Sequence, residues 1–434
     1  MNELPWWAWT MLATGVLATV AAFVALFLPD FHRPPLTCEC KDAAGSEAFM
    51  DAVSRFLNVP ILRGGSADIL QNGCRFFPAI LDAIRRARRS VNFQVYIFNT
   101  DRIGKQFVDA FEDRAKAGVD VRVMLDGFGS WRFGRDEEAR LRKAGVKLQF
   151  FRPIRPHSLV RAFKRDHRRA IVVDGRVAFT GGAAVADKWD GDARSKEEWR
   201  DSMTRLTGAL AHGVQTAFGE NWVYRTGEIL TGEPFFPPMP GDAPDTKNVP
   251  HEPCAIALVS SPADMAQPIR VLLWLSFTCA KKRLWISSSY FVPERRLRDA
   301  IAERARAGVD VRLLVPGPAT DAKPVRMAGR SHYEELLEAG VRIFEYQPGM
   351  MHAKTVVADG LWTLVGSANM DRRSVKLNEE NIIGISDPQF AADVETGILT
   401  DFECSKEIEL ETFRARGVGA RALERISRLL IEQY

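Results

Sequence analysis

Two segments of the 434-residue chain carry groups suited to phosphate chemistry at matching spacing, one set fuller than the other. The fuller one reads MHAKTVVADGLWTLVGSANMDRRSVKLNEEN from Met351, and sets His352, Lys354, Asp359, Gly366, Ser367 and Asn369 around two short apolar runs. TVV and LWTLV read as strands, ADG as the turn between them and GSAN as a polar exit. Residues i and i+2 of a strand share a face, so His352 and Lys354 point together. A neutral imidazole can attack phosphorus or carry a proton, while an ammonium neutralises a non-bridging oxygen. Ser367 and Asn369 add hydrogen-bond donors. A His-x-Lys pair alone is commonplace at a strand edge; the spacing through Asp359 to Gly-Ser-x-Asn makes the segment specific.

The second copy opens at His167, in HRRAIVVDGRVAFTGGAAVADKW, with Asp174 and Gly181 at the same intervals from the histidine as Asp359 and Gly366. It departs in three places: Arg169 stands for Lys354, Gly182 for Ser367 and Ala184 for Asn369. Arginine keeps the charge but changes its shape and hydration, and Ala184 removes a donor. The flanks repeat as well. LRDAIAERARAGVDVRLLVPG matches FVDAFEDRAKAGVDVRVMLDG, and YEELLEAGVRIFEYQP matches EEARLRKAGVKLQFFRP. Offsets that differ only by short loop changes indicate a duplicated domain.

The elements that position these groups alternate helix and strand. Phe76, Phe77, Ile80, Leu81, Ile84 and Ala87 form a helical stripe, VNFQVYIF a buried strand, and Phe107, Val108 and Phe111 a second helix that ends at Gly118 before VDVRVML. The expected fold class is α/β, with two duplicated domains, each a mixed sheet flanked by helices. The expected boundaries are 56–229 and 257–434, separated by a proline-rich stretch over 230–256. DGFGS, from Asp126, lacks the glycine spacing of a dinucleotide-binding turn.

The full motif resembles that of the phospholipase D superfamily, and DRRS followed by LNEEN is similar to its cardiolipin synthase branch. WRD, then Gly208 and AFGENW, resembles the stretch after the first motif in that branch, and the likeness spans nearly all of 56–410. It implies that His167 and His352 meet across a pseudo-two-fold interface. One would form a phosphohistidine while the other protonates the leaving alcohol and deprotonates the acceptor. The resemblance favours His167 as nucleophile, and the depleted first motif leaves the reverse open. Arg169 and Lys354 would hold the anionic oxygens, with Ser367 and Asn369 completing the shell. Asp174 and Asp359 would orient or tune the site, or simply stabilise their turns. Glu380 would support a histidine from behind, or form a salt bridge. The arrangement calls for no metal and no cofactor, since the charges a cation would bring are present.

The implied activity is phosphatidyl transfer between anionic phospholipids, with phosphatidylglycerol as substrate, phosphatidylethanolamine as an alternative donor and cardiolipin as product. The alternatives are phospholipid hydrolysis, a phosphodiester nuclease and a non-catalytic lipid-binding protein attached to the membrane. A net charge of +4 with 46% hydrophobic and 26% charged residues does not mark a nucleic-acid binder, and no basic-aromatic platform argues for one. No obligate protein or nucleic-acid partner is implied. Seven arginines and lysines between Arg152 and Arg169 lead into the first motif, where they could contact phosphate or anionic lipid. The charged stretch 187–201 carries Trp189 and Trp199, read either as packing residues or as a lid or acyl-chain wall.

From Trp6 to Leu28 the chain runs 23 residues without a charge, long enough for a transmembrane helix. The expectation is a single-pass anchor over 1–30 in the cell membrane, a juxtamembrane linker over 31–55 and a cytoplasmic catalytic body. At the other end Leu423, Ile426, Leu429 and Leu430 make an apolar stripe expected to pack on the second domain. The six cysteines form no repeated metal-ligand pattern.

Overall fold

The computed structural model describes residues 5–27, 36–153, 164–238, 253–261 and 267–431. A short amino-terminal unit ends at Cys38, and a large unit runs from Glu39 to Glu432.

In the large unit the helical stripe of the first half forms Gly73–Arg85, with Phe76, Phe77, Ile80, Leu81 and Ile84 buried. The β-prone run beside it forms Ser90–Val95, buried along its whole length because helices cover both faces of its sheet. Seven strands make this first sheet, in the spatial order Ala67–Gln71, Ser202–Thr207, Val177–Gly181, Ala170–Val173, Ser90–Val95, Asp120–Asp126 and Lys147–Phe151. The second half repeats that order with Cys254–Ser260, Glu380–Ser386, Trp362–Gly366, Lys354–Ala358, Arg283–Ser288, Asp310–Pro316 and Arg342–Tyr346. It gains Ile61–Arg63 at one edge and Ser405–Ile408 at the other, nine strands in all.

Each sheet has an outer core of its own, and the inner faces share a third. Ala170, Val172 and Leu206 of the first sheet meet Val357, Val365 and Ile383 of the second, around the helices Ala209–Thr226 and Pro388–Glu403. Each large apolar side chain buried there contributes about 1.5–3 kcal/mol, so parting the halves would expose a substantial core. The stretch read as a linker carries the helix Glu47–Leu57, whose Phe49, Met50 and Val53 recur at helical spacing and enter the second half's outer core. Of the proline-rich stretch, 239–252 lie outside the described residues, as do 154–163 of the basic segment.

Two expectations are corrected. Trp6–Phe27 is a helix, but among the described residues no helix is long and apolar enough to cross a membrane. A span takes roughly 20 predominantly apolar residues. The part of this helix with described side chains, 6–19, is shorter than that. It opens on Trp6, Trp7 and Trp9, and contains Thr10, Thr14 and Thr19, whose hydroxyls donate to carbonyls one turn back. The transmembrane element and the single-pass cell-membrane placement are therefore withdrawn. The carboxy-terminal stripe also behaves differently. In the helix Val418–Ile431, Leu423, Ile426 and Leu429 are exposed while Glu424 is buried. The Glu424 carboxylate accepts from Arg330 Nε at 3.1 Å and pairs with Arg416, which turns its side of the helix inward.

Candidate active site

Each motif folds as a hairpin, Ala170–Val173 with Val177–Gly181 and Lys354–Ala358 with Trp362–Gly366. The turn between the strands needs two left-handed residues, and Asp174-Gly175 (φ 54° and 64°) and Asp359-Gly360 (57° and 66°) supply them. Asp174 Oδ1 accepts from the backbone N–H of Arg89 at 2.7 Å and Ser90 at 2.9 Å. Asp359 Oδ1 accepts from Lys282 at 2.7 Å and Arg283 at 3.1 Å. Both carboxylates thus fasten the start of the neighbouring antiparallel strand, Ser90–Val95 or Arg283–Ser288. Seven residues of extended chain, roughly 20 Å, separate each from its histidine. The structure does not bring Asp174 or Asp359 into the site; their turn-stabilising role is the one observed. Asp174→Ala or Asp359→Ala, which removes a charged acceptor from several backbone donors, is expected to cost about 1–3 kcal/mol in chemical denaturation, with activity tracking the folded fraction.

At the opposite ends of these hairpins the two halves meet. His167 N donates to Glu379 O at 2.9 Å, and His352 N to Arg200 O at 2.7 Å. These crossed contacts bring each imidazole to a buried carboxylate of the other half: His167 Nδ1 lies 3.0 Å from Glu380 Oε2, and His352 Nδ1 lies 2.6 Å from Asp201 Oδ2. With Nδ1–H donated to a carboxylate, Nε2 is left with the lone pair. Glu380 was legible in the sequence; Asp201 was missed. Its signal was the repeat itself, because Asp201 stands two residues before Met203, which pairs with Gly181, just as Glu380 stands two before Ile382, which pairs with Gly366.

The departures in the first motif acquire physical reasons here. Ser367 Oγ donates to Glu380, and accepts from Asn381 N at 3.0 Å. At Gly182, the counterpart of Ser367, a Cβ would run into the Asp201 carboxylate. Trp189 Nε1 takes over the missing hydroxyl's task by donating to Asp201 Oδ2 at 2.9 Å. Asn369 Oδ1 accepts from Ser289 Oγ at 2.6 Å, which in turn accepts from Lys354 Nζ at 2.8 Å. By strand register Tyr96 takes the place of Ser289 in the first half. The Tyr96 ring packs edge-on against His167, 5.1 Å between centroids, and Ala184 lies in the apolar core.

Arg169 and Lys354 are both buried, and each donates to the carbonyl of its own histidine, Lys354 at 2.6 Å. Lys354 Nζ also lies 3.0 and 3.2 Å from Nδ1 and Nε2 of His352. Arg169 Nε donates to Ala183 O at 3.3 Å, and Asn381 holds the residue's backbone at both N and O. An uncharged residue at 169 would leave one cation for the phosphate. Arg169→Gln is expected to lower turnover on the order of 10²-fold, and Arg169→Lys much less; steady-state kinetics on both variants checks this.

Burial, then the adjacent Arg169, pushes His167 down to about 4. Burial, then Lys354, pushes His352 down to about 3. Burial also brings Lys354 down to about 7. Burial alone would raise Asp201 and Glu380, but the paired imidazoles, Trp189 or Ser367, and the two cations hold both below the usual carboxylate range. The resting site therefore pairs neutral imidazoles with ionised carboxylates. In the unfolded chain a histidine titrates near about 6.5, so as pH falls the unfolded chain takes up these protons first. The stability contributed by the two histidines should decline from about pH 6.5 towards pH 4. Asp166, pushed up to about 7 by burial, and Asp371, pushed up to about 6, act in the opposite sense over part of that window, so the check is the difference: the thermal midpoint of the parent should fall relative to that of a variant with both histidines replaced by alanine.

Fold and site together define a duplicated phospholipase D-like protein. A family model described as "Cardiolipin synthase, PLD-like domain" matches residues 80–189 and 276–401. The cardiolipin synthase of Geobacillus thermodenitrificans is 34% identical over 374 residues, covering 86% of this chain and 73% of that relative. Cardiolipin synthase 1 of Bacillus cereus is 33% identical over 389 residues, covering 88% and 75%. The chain belongs to the phospholipase D superfamily, in its cardiolipin synthase-like branch. The phosphatidylserine synthase of Haemophilus influenzae superposes with a TM-score of 0.66 over 88% of this chain and 99% of that one, at 17% identity, a likeness of fold. Membership carries the catalytic potential of the family, phosphatidyl transfer or hydrolysis, with phospholipids as the general substrate class.

Proposed function

We propose that the protein transfers a phosphatidyl group from one phospholipid to the hydroxyl of another through a phosphohistidine, with phosphatidylglycerol as acceptor and cardiolipin as product. The observation that carries this reading is the reciprocal pairing of His167 with Glu380 and His352 with Asp201. It prepares two imidazoles, one from each half, for work on one phosphorus.

His167 is assigned the attack. Lys354 sits within 3.2 Å of both ring nitrogens of His352, whereas the Arg169 guanidinium is turned to the carbonyls of His167 and Ala183. In the first step Nε2 of His167 bonds to phosphorus, the bond from phosphorus to the head-group oxygen breaks, and that oxygen takes a proton from His352. The bound phosphodiester anion raises the proton affinity of His352 against the effect of the nearby cations, so that Nε2 takes up a proton from solvent when the donor binds and this is the proton it gives. In the second step the acceptor hydroxyl gives its proton to His352, its oxygen bonds to phosphorus and the N–P bond breaks. Arg169 and Lys354 offset the charge on the non-bridging oxygens throughout.

The test supplies the purified protein with vesicles of phosphatidylglycerol, alone and with phosphatidylethanolamine, and resolves the products by mass. Cardiolipin with a released head-group alcohol is expected. Phosphatidic acid alone would instead identify a hydrolase, and cleavage of DNA or RNA without any lipid product would identify a nuclease.

A further inference from the structure

Lys188 stands beside the site but has no part in the steps above. It lies in the single turn Asp187–Trp189, just past the first motif. Its ammonium sits 3.5 Å from the centre of the Trp199 ring and 4.6 Å from that of Trp189. Those rings pack on the His352 imidazole, with centroids 5.0 and 5.3 Å from it. Lys188 is therefore one aromatic layer away from a reacting histidine. Among the described residues no carboxylate lies within ion-pairing distance of it. The charges that act on it are Asp321 and Arg132. Asp321 acts on Lys354 too, and accepts from the Tyr290 hydroxyl at 2.9 Å; the Tyr290 ring faces His352 with centroids 6.1 Å apart.

Indole faces attract an ammonium without neutralising it, so Lys188 keeps its charge available to an anion. Burial pushes it down to about 8, and a bound anion would reverse that shift. The reacting phosphate already has Arg169 and Lys354. An acceptor phospholipid brings a second phosphodiester, whose charge must approach a site already holding the anionic group on His167. Water and simple alcohols carry no such charge. We propose that Lys188, presented by Trp189 and Trp199, binds the phosphodiester of the acceptor lipid and so favours transfer to an anionic phospholipid over hydrolysis. This rests on the transferase reading and adds to it the place of the second phosphate.

Hydrolysis and transfer consume the same phosphohistidine, so the ratio of cardiolipin to phosphatidic acid formed from labelled phosphatidylglycerol vesicles reports acceptor binding independently of how fast the intermediate forms. At acceptor concentrations below saturation, Lys188→Gln should lower this ratio about tenfold, the size expected for loss of one charge-assisted contact. The change should lie in the KM for acceptor, and Lys188→Arg should restore most of the ratio. An unchanged ratio in Lys188→Gln, or an equal fall in Lys188→Arg, would overturn the assignment while leaving the transferase reading intact. A parent protein that forms phosphatidic acid and no cardiolipin would overturn both.

Discussion

Replacing His167 or His352 with alanine is expected to lower turnover by at least about 10²- to 10⁴-fold in each case, the range for loss of a proton-transfer group in a transition state. His167→Ala removes the atom that bonds to phosphorus, so its loss should be the larger. The two act on one phosphorus from opposite halves, so the double variant should be little worse than His167→Ala alone. Both side chains are at least nine-tenths buried, at 8% and 4% exposure, so folding must be checked separately by circular dichroism and thermal unfolding. Near-parental turnover in either single variant with unaltered folding would remove the two-histidine mechanism.

Asp201→Asn should lower turnover on the order of 10³-fold, and Glu380→Gln by a similar factor, although neither residue touches phosphorus in the proposed steps. Each carboxylate fixes the tautomer of its histidine by accepting from Nδ1, and steadies the imidazolium that forms when Nε2 gains a proton. An amide is close to the carboxylate in shape but carries no charge, and can present an N–H where the imidazole needs an acceptor. The loss should appear in kcat more than in KM. The pH dependence separates this role from packing: with the carboxylate gone, the paired imidazole should become harder still to protonate. For Glu380→Gln the acidic limb of the kcat profile, set by the attacking His167, should therefore move to lower pH, and for Asp201→Asn the basic limb, set by the proton-donating His352, should do so. A pure loss of folded protein would scale the profile without shifting it.

The repeat made most of the fold legible. Matching segments around AGVDVR and AGV placed equivalent strands in both halves, and the two sheets do share one seven-strand order. The capture of Ile61–Arg63 by the second sheet was not legible, because a three-residue edge strand has too little pattern to declare its partner. In the site, His167, Arg169, His352, Lys354, Ser367 and Asn369 were singled out by residue type and spacing, and Glu380 by the resemblance of LNEEN to the family's motif. Asp174 and Asp359 were found by the same spacing but serve the far ends of the hairpins. Spacing along a strand fixes distance from the histidine, and here that distance takes them away from it. Asp201 lies 151 residues from the histidine it orients, and only the pseudo-symmetry linked them. The glycine at 182 looked like decay of the motif. Beside Trp189 and Asp201 it is instead the space the carboxylate needs.

In the proposed cycle a phosphatidyl group is held on one half of the protein while the other half handles protons. The most direct measurement of this is a rapid acid-free quench during turnover of a phosphatidyl-labelled donor, followed by peptide mapping. An acid-labile label is expected on Nε2 of His167, forming in the parent and in a variant slowed at His352 and disappearing when acceptor lipid is chased in. Label on His352 would reverse the assigned roles, and turnover with no histidine-linked label at all would exclude a phosphohistidine intermediate.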